Sequence, residues 1–140
     1  MSRVILLAAD RPLPLLEPAF RRVRCTGRFT VETDGFSVRP HEYYRGGVDE
    51  LGLELKPFQY ELDLEATQED VNALRAYLAG HCRPGEQVEL WNLWVGVDRE
   101  DQVPRFQGEL ADLALDTLEQ LCFPPVERDC PGQCRLTVTI

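Results

Sequence analysis

The chain has 140 residues, of which 44% are hydrophobic and 28% are charged, and 15 Lys+Arg against 24 Asp+Glu give a formal net charge of -9. This length and apolar fraction predict one globular domain, and the longest apolar run, Val4 to Ala9, is far below the ~18 residues that cross a bilayer. Neither a signal peptide nor a disordered chain is expected, because Asp10 and Arg11 follow that run and aromatic residues occur throughout the sequence.

The N-terminal third of the sequence predicts mostly strands. Residues 3–9, which contain the continuous apolar run Val4 to Ala9, are predicted to form a buried strand. Residues 28–33 and 36–39 alternate in character around Asp34-Gly35, a dipeptide that favours the type I′ turn of a hairpin. A short helix is expected to open at Pro40 and to end at Gly52.

The rest of the chain alternates strands and helices. Polar and apolar residues alternate over 58–65, which predicts a strand buried on one face, and Thr67 with Asp70 resembles a capping box at the start of a helix that Gly80 ends. A second helix is expected to open at Asp116, with Glu119 in its first turn. Further strands are predicted over 86–95, 105–113 and 135–140.

From Pro57 onward the order is strand, helix, strand, strand, helix, strand, which predicts a ferredoxin-like βαββαβ plait: an antiparallel sheet with two helices on one face. We expect a single α+β domain over 1–140, with a β-rich N-terminal extension over 1–52 and the plait over 53–140. The segments Phe58-Gln59-Tyr60-Glu61-Leu62 and Phe106-Gln107-Gly108-Glu109-Leu110 match at four of five positions. This repeated segment predicts an internal duplication into two halves. The first strand of one half is expected to be the neighbour of the first strand of the other half in the centre of the sheet.

One face of the predicted sheet is expected to need a cover. Glu61 and Glu109 would lie on the face away from the helices, and the three-residue spacing of Trp91 and Trp94 places one Trp there as well. A half-apolar face is usually covered by further chain, here the first fifty residues, or by a second subunit. The candidate interface residues are therefore Glu61, Trp91, Trp94 and Glu109.

The charge is distributed unevenly. Residues 1–50 hold eight Arg and seven acids, whereas residues 51–140 hold seven basic and seventeen acidic residues. An acidic field repels a phosphate backbone, so no nucleic-acid partner is expected. The one basic cluster is either a solvated strand face, a set of partners for the acidic half, or an anion site: Arg21, Arg22, Arg24 and Arg28.

Five cysteines without the dense, regular spacing of a secreted disulfide scaffold predict a reducing, cytoplasmic location. Cys130 and Cys134 flank a Pro-Gly turn at a spacing of three, whereas zinc knuckles usually have two. A metal site with Cys82, Cys122 or His81, a local disulfide, and a plain turn with buried thiols all remain open. We expect no metal and no cofactor.

The sequence contains no nucleotide-binding glycine loop and no nucleophile elbow. Hydrogen-bonding and titratable groups are densest around Arg39, His41, Tyr44 and Arg45, where a His beside Glu42 and Tyr43 could perform acid–base chemistry or be an ordinary helix start. A row of carboxylates is either a cation site or a solvated face that pairs with the N-terminal arginines: Glu61, Asp63, Glu65, Glu109 and Asp112.

These observations predict a non-catalytic cytoplasmic binding or assembly module that associates with a protein partner or with itself through its sheet face or edge. A membrane partner is not expected. The alternative is a small-molecule-binding protein or enzyme with a pocket between the N-terminal segment and the core. Arg39, His41 and Tyr44 are the residues expected at that pocket.

Overall fold

The computed structural model describes residues 2–96, 103–124 and 132–140. Within these ranges the chain forms a six-stranded sheet, a separate two-stranded sheet and three α-helices, so it is an α+β protein. None of the helices in these ranges is both long and apolar enough to span a bilayer. The elements in chain order are β1 (Ser2–Ala9), β2 (Arg21–Thr26), β3 (Phe29–Asp34), β4 (Ser37–Pro40), α1 (Arg45–Asp49), β5 (Phe58–Asp63), α2 (Gln68–His81), β6 (Gln87–Val95), β7 (Arg105–Glu109), a 3₁₀ turn (Leu110–Asp112), α3 (Leu115–Cys122) and β8 (Cys134–Thr139).

The large sheet has the order β4-β5-β1-β6-β8-β7, and all neighbours are antiparallel except β7 and β8. β1 lies near its centre, with Leu7 opposite Tyr60 of β5 on one side and Leu90 of β6 on the other. The position follows from the sequence, because a strand that is apolar at every position from Val4 to Ala9 must be covered on both faces.

This strand order differs from the expected plait. The plait requires β5 and β7 to be neighbours, but β1, β6 and β8 separate them. The expected adjacency is therefore wrong, and the ferredoxin-like plait is not confirmed. β1 takes the central place because it is more apolar than either strand, whereas β7 carries Gln107, Gly108 and Glu109, is largely exposed, and forms an edge.

Both faces of the sheet are covered by the chain itself. The capped helix α2 and the helix α3 lie on the same face, where Leu74 and Leu118 share one buried core with Leu7, Leu90 and Leu136. On the opposite face Val48 of α1 and the apolar residues that flank it cover a second buried cluster. Residues 44–55 thus cover the face that the sequence left open, and the members of that cluster are Val4, Leu6, Ala8, Val48, Trp91, Leu93 and Val95.

The predicted hairpin turn at Asp34-Gly35 is wrong. The hairpin that forms pairs β2 with β3 and turns at Gly27, whose φ is 61°, while β4 pairs with β5 instead. Gly35 has a different role: its N–H donates to the Phe20 carbonyl at 2.8 Å, and a Cβ there would lie 2.6 Å from the Phe20 ring. The glycine permits a close packing contact that the local sequence pattern does not reveal.

Helix starts agree with the sequence in one case and differ in two. At α2 the Thr67 hydroxyl accepts from the Asp70 N–H at 3.1 Å, as the capping box predicts. The helix predicted from Pro40 is limited to α1. α3 begins at Leu115, and its start is stabilised by Thr117 Oγ1, which accepts from the Ala114 N–H at 3.1 Å.

Candidate functional site

A cleft opens inside the large sheet where β1 and β5 diverge. Their pairing ends at Leu6 opposite Glu61, although both strands continue. The cleft that separates them has a volume of about 270 Å³. Because the strands turn away from each other there, polar side chains and backbone of both edges reach the cleft, and its lining is Arg3, Val4, Ile5, Arg39, Tyr44, Glu61, Leu62, Asp63, Leu64 and Glu65.

The structure brings together part of the predicted site. Arg39 from β4 and Tyr44 both line the cleft. Tyr44 begins the covering segment, residues 44–55, which packs on the second face of the sheet. His41 is buried behind it against Glu61, and Arg45 is exposed on α1 outside the lining. Nothing in the sequence marks Arg3 as a site residue, because it precedes an apolar run and no local pattern connects it with residues 39–65.

Glu61 is the fixed acceptor of the cleft. Its side chain is 9% exposed, and Oε2 lies 2.9 Å from Nδ1 of His41, whose side chain is 1% exposed. An ionised carboxylate only accepts hydrogen bonds, so Nδ1 is the donor. The Tyr44 N–H also donates to Oε2, at 3.4 Å. These bonds hold the carboxylate in one orientation at the wall of the cleft.

The other two carboxylates of the cleft anchor the β2–β3 hairpin. Arg22, only 3% exposed, donates from Nη1 to Asp63 at 2.8 Å and makes two bonds to Asp70 at the start of α2. Arg24 pairs with Glu65. Burial lowers the pKa of Arg22, but the hydrogen bonds that it donates to Asp70 and Asp63 outweigh this effect and hold that pKa above its usual range. The basic cluster thus includes partners of the acidic half, one of the alternatives that the sequence left open.

Two guanidinium groups of the cleft have no such carboxylate partner. Arg3 donates from Nη1 to the Cys122 carbonyl at 3.0 Å, and neither Arg3 nor Arg39 forms a salt bridge with any residue in the described ranges. A guanidinium is always charged and presents several donors in a planar fork. The cleft therefore combines acids that have hydrogen-bond partners in the chain with two arginines that can bind an anion.

The residues considered for a metal do not form a site in the described part of the chain. Glu61, Asp63 and Glu65 face basic partners, while Glu109 and Asp112 lie at the far edge of the sheet. No group of three or more His, Cys, Asp or Glu side chains in residues 2–96, 103–124 and 132–140 has the arrangement of a metal site. Cys130 lies outside the described residues.

The thiols in the described ranges are free, and three of them are buried: Cys82, Cys122 and Cys134. Burial raises the pKa of Cys122 to about 11 and that of Cys134 to about 12, so these thiols stay protonated at neutral pH. Thiols in this state are poor metal ligands and poor nucleophiles.

The four candidate interface residues are dispersed. Glu61 is buried, and Trp91 is 2% exposed beneath the covering segment. Trp94 is half-buried and donates from Nε1 to the Gly132 carbonyl at 3.1 Å, whereas Glu109 is exposed on the edge strand β7. The sheet face around Trp91 is occupied by the chain's own residues, whereas Glu109 lies on an edge strand of the sheet.

No protein-family model matches this sequence, and comparison with curated proteins and with solved structures finds no significant similarity. Inference about function depends on the geometry of the cleft and the surface alone.

Proposed function

We propose that the protein binds a small organic carboxylate with a second, hydrogen-donating end, such as an amino acid or a hydroxy acid, in the cleft between β1 and β5. The observation that carries the proposal is the placement of Arg3 and Arg39, which form no salt bridge within residues 2–96, 103–124 and 132–140, in the same cleft as the oriented carboxylate of Glu61.

The lining accounts for both ends of such a ligand. The guanidinium fork of Arg39 matches a carboxylate, with which arginine forms two parallel hydrogen bonds. Glu61 is a fixed acceptor for an ammonium or hydroxyl group. Tyr44 adds an aromatic side chain beside them. A ligand that binds Arg39 with its carboxylate and Glu61 with its other end is held at two points. The distance between these two side chains therefore selects ligands of matching length.

Size and charge narrow the ligand class. A cleft of about 270 Å³ lies just under the ~300 Å³ lower bound for drug-sized ligands, so it suits a small metabolite. The charges around it balance: the arginines at 3, 22, 24 and 39 match the carboxylates at 61, 63, 65 and 70. A balanced site favours one carboxylate or a zwitterion over a polyphosphate, which needs excess positive charge.

We propose binding and not catalysis. The imidazole of His41, the base nearest the cleft, is buried behind Glu61 and hydrogen-bonded to it. A general base must have its lone pair within reach of a substrate proton. His41 instead has the geometry of a support that orients Glu61.

The experiment is a panel of amino acids, hydroxy acids, dicarboxylates and inorganic phosphate, screened by thermal unfolding and then by calorimetric titration. Arg39→Ala should weaken binding of the best carboxylate at least tenfold. Arg45→Ala is the matched control, since Arg45 is exposed outside the cleft, and it should bind as the wild type does. Equal losses in both variants, or binding by phosphate alone, would contradict the proposal.

A second candidate function is assembly through the sheet edge at β7. The faces are covered, but β7 is an edge strand whose outer side pairs with no described strand. Association through this edge is compatible with ligand binding at the cleft, because β1, β6 and β8 lie between β7 and β5.

A further inference from the structure

The β2–β3 hairpin projects from the protein with an apolar end. In the hairpin only Arg22, at its base, is buried; 77% of Phe29 and 46% of Val31 are exposed. The strand register places Val31 opposite Arg24 and Phe29 opposite Thr26, so the two apolar side chains share one face with Arg24. Large exposed apolar side chains grouped on a projecting element are typical of contact surfaces.

The edge of the sheet at β7 has complementary properties. A groove of about 160 Å³ runs along β7 beside the 3₁₀ turn and α3, with Phe106, Leu113, Leu136 and Val138 in its lining. An apolar cavity of ~150 Å³ accommodates benzene, so this groove has the capacity for one phenylalanine ring. Within residues 2–96, 103–124 and 132–140 the outer edge of β7 pairs with no other strand.

Charge distinguishes the two surfaces. The hairpin, residues 21–34, carries four arginines and two acids, and its turn residue Arg28 is exposed. Residues 109–119 carry four acids and no basic residue, and two of these acids, Glu109 and Asp112, line the groove. Opposite charge around an apolar anchor steers a partner and sets its register.

The hairpin and the groove lie at different ends of the molecule. Arg22 fixes the hairpin to Asp63 on β5, and three strands separate β5 from β7, a distance of ~19 Å at the usual strand spacing. Phe29 is exposed in the protein as it stands, so it does not fill the groove of its own chain.

We propose that the occupant of the β7 groove is the hairpin of a second copy of this chain: Phe29 enters the groove, and Arg28 faces Glu109 and Asp112. The two surfaces differ, so the contact is head-to-tail. A head-to-tail contact leaves one free hairpin and one free groove on each pair, and it therefore builds open chains or rings instead of stopping at a twofold dimer. This inference is independent of ligand binding in the cleft.

The test uses two variants that each remove one surface. Phe29→Ser removes the apolar anchor, and Glu109→Arg combined with Asp112→Arg reverses the charge of the groove; all three positions are exposed, so folding should be retained and circular dichroism verifies it. In sedimentation experiments over a range of concentrations, the wild type should form species larger than a dimer. Each variant alone should associate at least tenfold more weakly.

Mixing the two variants gives the decisive result. Each retains the surface that the other lacks, so the mixture should form a 1:1 complex that grows no further. If the Glu109→Arg, Asp112→Arg variant still dimerises on its own, two hairpins pair with each other. If Phe29→Ser still dimerises on its own, two β7 edges pair with each other. Either result overturns the proposal. So does a wild type that stays monomeric up to millimolar concentration.

Discussion

Arg22 and Asp70 form a buried ion pair with two hydrogen bonds, from Nε to Oδ2 at 3.1 Å and from Nη2 to Oδ1 at 2.5 Å, although they are 48 positions apart in the sequence. Their side chains are 3% and 0% exposed. Asp70 also accepts from the Glu65 N–H and belongs to the cap of α2 with Thr67. The pair thus connects the hairpin, the C-terminal end of β5 and the start of α2.

Arg22→Ala should therefore destabilise the protein strongly. Removing one partner of a buried ion pair leaves the other charge uncompensated and costs ~3–5 kcal/mol. The control is Arg21→Ala, because Arg21 is 59% exposed and its pairs with Glu32 and Asp34 lie on the surface; its expected cost is at most ~1 kcal/mol. Urea unfolding measures both, and similar costs for the two variants would contradict the anchoring role.

Two glycines should respond in opposite ways to alanine. Gly35→Ala places a methyl group 2.6 Å from the Phe20 ring and carbonyl, and overpacking of this kind costs ~1–3 kcal/mol. Gly46, inside α1, has open space around its Cα, and alanine there should stabilise by ~0.5–1 kcal/mol. Thermal unfolding midpoints of the two variants should move to opposite sides of the wild-type value; a rise for Gly35→Ala would refute the close contact.

Cysteine labelling should distinguish one fast-reacting thiol from three slow-reacting ones among the cysteines that the structure describes. Cys25 is exposed on β2, whereas Cys82, Cys122 and Cys134 are buried and burial raises the pKa of each. Because the thiolate is the reactive form, brief alkylation of native protein at pH 8 should modify Cys25, whereas the three buried thiols should react only after unfolding. Peptide mass spectrometry reads each site, and early modification of Cys134 would show that its surroundings are open.

Glu86 should contribute to the dependence of stability on pH. Hydrogen bonds from Arg11 and from the Arg83 N–H hold the pKa of Glu86 below its ordinary value. A carboxyl whose pKa is lowered by folding stabilises the native state above the unfolded pKa of ~4.3, and this contribution disappears as the pH falls through the lowered pKa. Glu86→Gln should thus be less stable than the wild type at pH 7, with the difference vanishing towards pH 3. A difference that grows on acidification would contradict the assignment.

The parts of the fold that the sequence predicts well depend on local signals. Thr67 and Asp70 set the start of α2, and alternation around Tyr60 sets β5, because a cap and a two-residue period are encoded within a few neighbouring residues. The order of the strands is not local. It depends on β1, 49 residues before β5, entering the sheet centre, and no pattern within β5 or β7 records that.

The same distinction applies to the candidate site. Arg39 and Tyr44 are close in sequence, and they lie in the segment where hydrogen-bonding and titratable side chains are densest. That local density is why the sequence indicates them as candidates. Arg3 and Glu65 reach the same cleft only because β1 and β5 pair and then diverge. The hairpin prediction failed for a related reason, since the contact between Gly35 and Phe20 is a tertiary one.

The most direct test of the cleft as the binding site is a ¹H–¹⁵N chemical-shift titration with the tightest carboxylate from the panel. We expect saturable shifts confined to the backbone amides of residues 3–5, 39, 44 and 61–65, and we expect these shifts to be lost in Arg39→Ala. Shifts centred on residues 106–109, or unchanged shifts in the Arg39 variant, would contradict it.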